Sequence, residues 1–121
     1  LPTLTPRMYK LTILFRHPPD ITKFEKTWPD FIHFAEAMPG LLRVEVSSSL
    51  SGPQGPVEFY KIHEFYFADK TTMDKAMMSE KGTRAGGVLQ VLAPGGYVLL
   101  FADAQEDIPR PPAEPPEADK K

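Results

Sequence analysis

The stretch EFYKIHEFYF, Glu58 to Phe67, decides how this sequence folds. It is dense in aromatic residues and follows a turn-like SGPQGP (51–56), so it reads as a β-strand. Alternate side chains of a strand point to opposite faces. Phe59, Lys61, His63, Phe65 and Phe67 therefore share one side, and Tyr60, Ile62, Glu64 and Tyr66 share the other. Both rows mix aromatic with ionisable groups, so neither side reads as plain core or plain solvent surface. The strand is expected to lie between two covering layers. Lys61 and His63 then need partners, because an unpaired buried polar group costs about 1–3 kcal/mol.

Working outward, LLRVEVSSSL (41–50) reads as the strand that enters this hairpin, with SGPQGP at its tip. MYKLTILFRH (8–17) alternates in the same way, with Tyr9, Leu11, Ile13 and Phe15 on one face and Lys10, Thr12, Leu14 and Arg16 on the other, before PPD breaks it. Between these strands, Ile21, Phe24, Trp28, Phe31, Ala35 and Met38 recur at spacings of 3, 4, 3, 4 and 3, which draws one apolar stripe along a helix. Thr22 with Glu25 suits a capping box, Pro29 is expected to kink or restart the helix, and Pro39-Gly40 ends it. Asp69 caps a second helix that runs through Met78 with Met73, Ala76 and Met77 inward, and Gly82 is expected to stop it. TRAGGVLQVL (83–92) reads as a short further helix or irregular segment, APGG as a turn, and YVLLFAD (97–103) as a last strand.

The order strand, helix, strand, strand, helix, strand predicts an α+β domain. Its architecture is the ferredoxin-like βαββαβ arrangement, an antiparallel sheet with its helices on one face. The domain spans 8–103, after an N-terminal extension (1–7) and before a proline-rich tail (104–121) that should run extended or disordered. The apolar row of the first strand belongs under the helices. The opposite, amphipathic face must then meet solvent, a ligand or a second subunit. Self-association suits a domain of this size, which buries only about two thirds of its unfolded surface.

Fourteen Lys and Arg against sixteen Asp and Glu leave a net charge of −2, which argues against a nucleic-acid or anionic-membrane binder. No apolar run approaches the roughly 20 residues that span a bilayer, and LPTLTPR lacks the pattern of a signal peptide. The absence of cysteine excludes disulfides, thiolate metal sites and a cysteine nucleophile, and suits the cytoplasm. His17, His33 and His63 are too scattered for a local metal site, and no cofactor is expected; haem ligation by one of the three is the competing possibility. GTRAGG and APGG lack the lysine of a phosphate loop, and SSSL lacks the glycines of a nucleophile elbow.

Two constellations remain. Phe24, Trp28, Phe31 and Phe34, facing a sheet with Phe15, Phe59, Phe65, Phe67 and Tyr97, form either ordinary core or the walls of an apolar pocket; Trp28, Phe31, His33, Phe65 and Tyr66 are the candidate ligand-binding residues. His63 is the candidate acid or base, with Lys61 or Arg16 to steady developing negative charge. Against this stands a structural role for the same groups, in cross-strand pairs or a dimer interface.

YKLTILFR (9–16), MPGL (38–41), HEFYFAD (63–69), MMSEKG (77–82) and PGG (94–96), taken in order and spacing, resemble the EthD family over residues 8–103. That family is associated with bacterial ether degradation and belongs to the dimeric α/β-barrel group. The resemblance implies a homodimer in which two four-stranded sheets face each other with the helices outside. It also implies kinship with cofactor-free monooxygenases, isomerases and dehydratases. A small apolar or aromatic metabolite is the expected ligand; the alternative is a non-catalytic accessory or carrier protein of an oxidative degradation pathway. Family members carry a histidine in the first helix that falls at or near Phe31 here. His33 is two residues away, a turn of about 200° on a helix, so that histidine's catalytic role is not carried over to His33.

Overall fold

The computed structural model describes residues 7–94 and 96–109, so most of the N-terminal extension and of the proline-rich tail lies outside the described residues. The elements run β1 (Arg7–Arg16), α1 (Ile21–Ala35), β2 (Leu41–Ser48), β3 (Phe59–Phe67), α2 (Lys70–Met78), α3 (Glu80–Leu92) and β4 (Tyr97–Gln105). Every neighbouring pair in the sheet is antiparallel, in the order β2-β3-β1-β4. The two strands with the strongest apolar rows thus occupy the centre. The sheet is the expected ferredoxin-like one, with three helices rather than two.

Leu11, Ile13 and Phe15 of β1, with Phe65 and Phe67 of β3, pack against Phe24 and Phe31 of α1, Met73 of α2 and Leu89 of α3. Phe15 is the hub, its ring 5.4 Å from Phe24, 5.4 Å from Trp28 and 6.2 Å from Phe31, all edge-on. Such pairs add about 0.5–1.5 kcal/mol each beyond the area they bury.

Four local readings need correction. The N-cap of α1 is Asp20, whose carboxylate accepts from the Lys23 N–H at 3.0 Å, and not Thr22. An aspartate one residue before the stripe outcompetes the capping box because the Glu25 carboxylate is drawn away to β3. Pro29 does not restart the helix, because it lies within a single one, Ile21–Ala35. Gly82 does not stop α2: Ser79 ends α2 and caps α3, its hydroxyl accepting from the Gly82 N–H at 3.1 Å. A Cβ at Gly82 would run into the carbonyl oxygens of Ala76 and Met77, so glycine serves there as the point where α3 folds back on α2.

The fourth correction concerns β3 itself. The pairing shifts between Phe15 and Arg16: Lys61 lies opposite Phe15 and Phe59 opposite Arg16, leaving Tyr60 without a β1 partner. This bulge moves Phe59 to the open face, under the Arg16 guanidinium at 5.4 Å, and turns Tyr60 towards Phe24 of α1 at 5.3 Å. Phe34 also leaves the expected aromatic wall. It faces α3, flanked by Lys81 and Arg84 at 5.7 and 5.4 Å.

Candidate functional site

Lys61 and His63 lie on the helix-covered face of β3, opposite Phe15 and Ile13 of β1. Both find their partners on α1 of the same chain. The Lys61 ammonium donates to Glu25 at 3.1 Å and rests 4.2 Å from the centre of the Trp28 ring. Tyr60 donates to the same carboxylate at 2.5 Å, which pushes the phenol up to about 12 and, with Lys61, holds Glu25 below the usual carboxylate range. These groups open onto a polar cleft of ≈350 Å³ that His17, Ser48 and Ser49 also line.

His63 is fully buried, at 0% exposure. Its ring stacks on Phe65, 4.0 Å between centroids and 3° from parallel, and neighbours Trp28 at 5.8 Å. Its Nε2 lies 3.2 Å from the Glu36 carboxylate at the C-cap of α1. Burial pushes the imidazole below its ordinary value of 6.5, against the opposing pull of Glu36. The neutral ring therefore donates from Nε2–H to Glu36 and presents a bare Nδ1. Nδ1 has no hydrogen-bond partner among the described residues, although the nearby backbone of Glu64 works with Glu36 to raise the ring's value against burial.

Beside this pair lies an apolar cavity of ≈280 Å³ between α3, the end of α1 and the sheet. Leu11, Ile13, Phe31, Phe65, Met38, Met77, Ala85, Leu89 and Leu99 wall it, and Thr83, Gln90 and Tyr97 bring its polar groups. Phe65 has one ring face against His63, so His63 stands one ring layer away from the cavity.

The sequence-predicted residues thus divide. Lys61, His63, Trp28, Phe31 and Phe65 come together beneath α1. Arg16 does not join them: it is on the open face, paired with Glu58 at 2.6 Å. Tyr66 is on that face too, beneath the Arg43 guanidinium at 3.9 Å, and His33 is exposed with its ring against Phe34. Strand parity explains Arg16 and Tyr66, because neighbours in β1 and β3 point oppositely. No group of three or more His, Cys, Asp or Glu suited to a metal occurs among the described residues.

Sequence reasoning missed Glu25 and Glu36 as partners. Their separation is 11 residues, about three helical turns, which places them on one helix face. Lys61 and His63 stand two apart on one strand face. That matched pair of rows was the available signal. Thr83 and Gln90 were missed because α3 carries three glycines and reads weakly as a helix.

No protein-family model and no curated protein matches the sequence. Solved structures do. An EthD family protein from Bacillus halodurans superposes with a TM-score of 0.75 at 24% identity, covering 84% of this chain and 99% of that one. The fold of this chain is the fold of that EthD protein. The hydroxynitrile lyase of Passiflora edulis shares it with a TM-score of 0.67 at 14% identity, over 86% of this chain and 99% of the lyase. SnoaB of Streptomyces nogalater, a cofactor-independent oxygenase, aligns at 0.59 and 13% identity, over 87% of this chain and 99% of its own. Ferredoxin-like proteins of Bacteroides fragilis and Jannaschia, which align with this chain at TM-scores of 0.61 and 0.58, are dimeric.

Proposed function

We propose that this chain is a homodimeric EthD-like protein that binds a small apolar or aromatic metabolite in the cavity between α3 and the sheet. The observation that carries the reading is the cavity itself. A space of ≈280 Å³ walled by Phe31 and Phe65 is left open beside a core in which Phe15, Phe24 and Trp28 pack ring against ring. An apolar cavity with a few convergent polar groups is the usual form of a ligand site. Kinship with a cofactor-independent oxygenase and a lyase of the same fold supports small-molecule chemistry. The catalytic form of this reading is cofactor-free proton transfer to a phenol-like substrate, as in isomerisation, dehydration or oxygenation, with His63, oriented by Glu36, as the acid–base group; it requires the Phe65 ring, which separates His63 from the cavity, to move aside. Lys61 is neutralised by Glu25 and serves to hold α1 on β3.

The open face of the sheet is the dimer surface in this proposal. It presents Leu14, Ile62, Val98 and Leu100 around the Lys10–Glu64 ion pair, and Leu100 is 49% exposed. The second reading, a non-catalytic carrier, draws on a specific observation: His63 and Lys61 both have carboxylate partners within the chain, and His63 does not line the cavity.

The test is a thermal-shift screen of phenols, quinones, lactones and aromatic acids against the wild type and Gly86→Leu. A Cβ on Gly86 meets nothing within 4 Å, so leucine there fills the cavity without a backbone clash. A ligand at 100 times its Kd adds about 2.7 kcal/mol. Stabilisation that disappears in Gly86→Leu supports the cavity; stabilisation that survives it removes the cavity as the site. Turnover in the wild type that is lost in His63→Phe supports catalysis by His63; equal turnover in that variant removes His63 as the acid–base group, and binding without turnover in the wild type leaves the carrier.

A further inference from the structure

Resting on the cavity reading above, the geometry points to an uncharged ligand with a single hydrogen-bonding oxygen, a ketone or phenol rather than a carboxylate, received by Tyr97. The lining contains no Asp, Glu, Lys, Arg or His. A carboxylate held among its apolar walls would lose hydration and meet no counter-charge, a costly exchange in a protein interior. The nearest cations do not help: Lys61 is taken by Glu25 and opens onto the separate polar cleft.

The polar groups that are present define what is recognised. At the solvent-facing mouth of the cavity, Gln90 on α3 donates from Nε2 to the Tyr97 hydroxyl oxygen at 2.5 Å. That bond uses the oxygen as an acceptor and leaves the Tyr97 O–H hydrogen and the Gln90 Oε1 without partners among the described residues. Tyr97 therefore offers one donor to a ligand carbonyl or hydroxyl oxygen, and Gln90 offers one acceptor to a ligand O–H. A phenol satisfies either group and a ketone only the first. Both leave the rest of the molecule against Leu11, Phe31, Phe65 and Leu89. At the interior packing density of about 0.75, ≈280 Å³ accommodates roughly a dozen non-hydrogen atoms, the size of a fused two-ring compound.

The experiment is calorimetric titration of the full chain with three probes of nearly one size: α-tetralone, 2-naphthol and 2-naphthoate, each against wild type, Tyr97→Phe and Gly86→Leu. The expected result is binding of tetralone and naphthol, with naphthoate weaker by ~100-fold or more. Tyr97→Phe keeps the ring and should weaken tetralone about 5- to 10-fold, and Gly86→Leu should abolish binding of all three. Naphthoate binding as tightly as tetralone, and losing that binding in Gly86→Leu, overturns the neutral-ligand inference while leaving the cavity as the site. An unchanged tetralone affinity in Tyr97→Phe overturns the role of Tyr97. If none of the probes binds at millimolar concentration, both the cavity reading and this inference fall together.

Discussion

Acidification below neutrality should destabilise this protein through His63, because burial in the folded chain disfavours protonation of that ring while the unfolded chain does not. The sign follows from proton linkage. A histidine whose pKa is lowered by folding binds more protons when unfolded, so stability is complete above the ordinary value of 6.5 and is lost as pH falls through it, levelling only beneath the folded-state pKa. The ceiling on the loss comes from the unfolded imidazole alone. Between pH 7.5 and 5.5, one group of ordinary pKa takes up about 0.8 proton, and RT ln 11 less RT ln 1.1 gives about 1.4 kcal/mol. That corresponds to a fall of roughly 5–10 °C in Tm for a domain of this size. The assay is urea unfolding followed by fluorescence of Trp28, the single tryptophan, which packs 5.8 Å from the His63 ring. His63→Phe provides the control, since it keeps an aromatic ring on Phe65 and removes the titration. The wild type should lose up to about 1.4 kcal/mol more than His63→Phe over this interval. Parallel pH curves for the two proteins would refute the argument, and with it the picture of a neutral imidazole held on Glu36.

Three further outcomes follow from the same geometry. Lys61→Ala should cost about 2–4 kcal/mol, because it removes both the aliphatic stem and the ammonium over Trp28, whereas Lys61→Met should cost about 1 kcal/mol, as chemical denaturation can show. Gly82→Ala should destabilise by about 2–3 kcal/mol through its clash with the end of α2, while Gly86→Ala, in open space within α3, should stabilise by about 0.5–1 kcal/mol. Equal effects at the two glycines would contradict the close approach of α2 and α3. Leu100→Glu should shift the protein from dimer to monomer in light scattering at micromolar concentration; a wild type that is already monomeric, or a variant that remains dimeric, refutes the open-face interface.

Much of the fold was legible because its causes are local. The alternation in β1 and β3 and the 3-4 stripe of α1 determined which rows would meet, and Asp69 caps α2 as its position before the helix implies. Other features depended on competition between distant groups. Thr22 and Glu25 satisfy a capping pattern, yet Glu25 is worth more to Lys61 and Tyr60 on a strand 35 residues away, and no local rule compares those two uses. The bulge at Tyr60 is equally non-local. It arises where β1 and β3 shift register, and it reverses the side to which Phe59 points.

The sequence by itself determined the order of the elements, the row of β1 that faces the helices, and the need of Lys61 and His63 for partners, since periodicity and desolvation act on each segment wherever it lies. Tertiary structure decided who those partners are, and that Arg16 and Tyr66 stand on the opposite face from His63. It also decided that the open space lies under α3. That helix is weak in propensity and exists because Ser79 caps it and Gly82 lets it fold against α2. The cavity's chemistry, apolar with only Thr83, Gln90 and Tyr97 as polar groups, belongs to residues whose meeting depends on that single close approach.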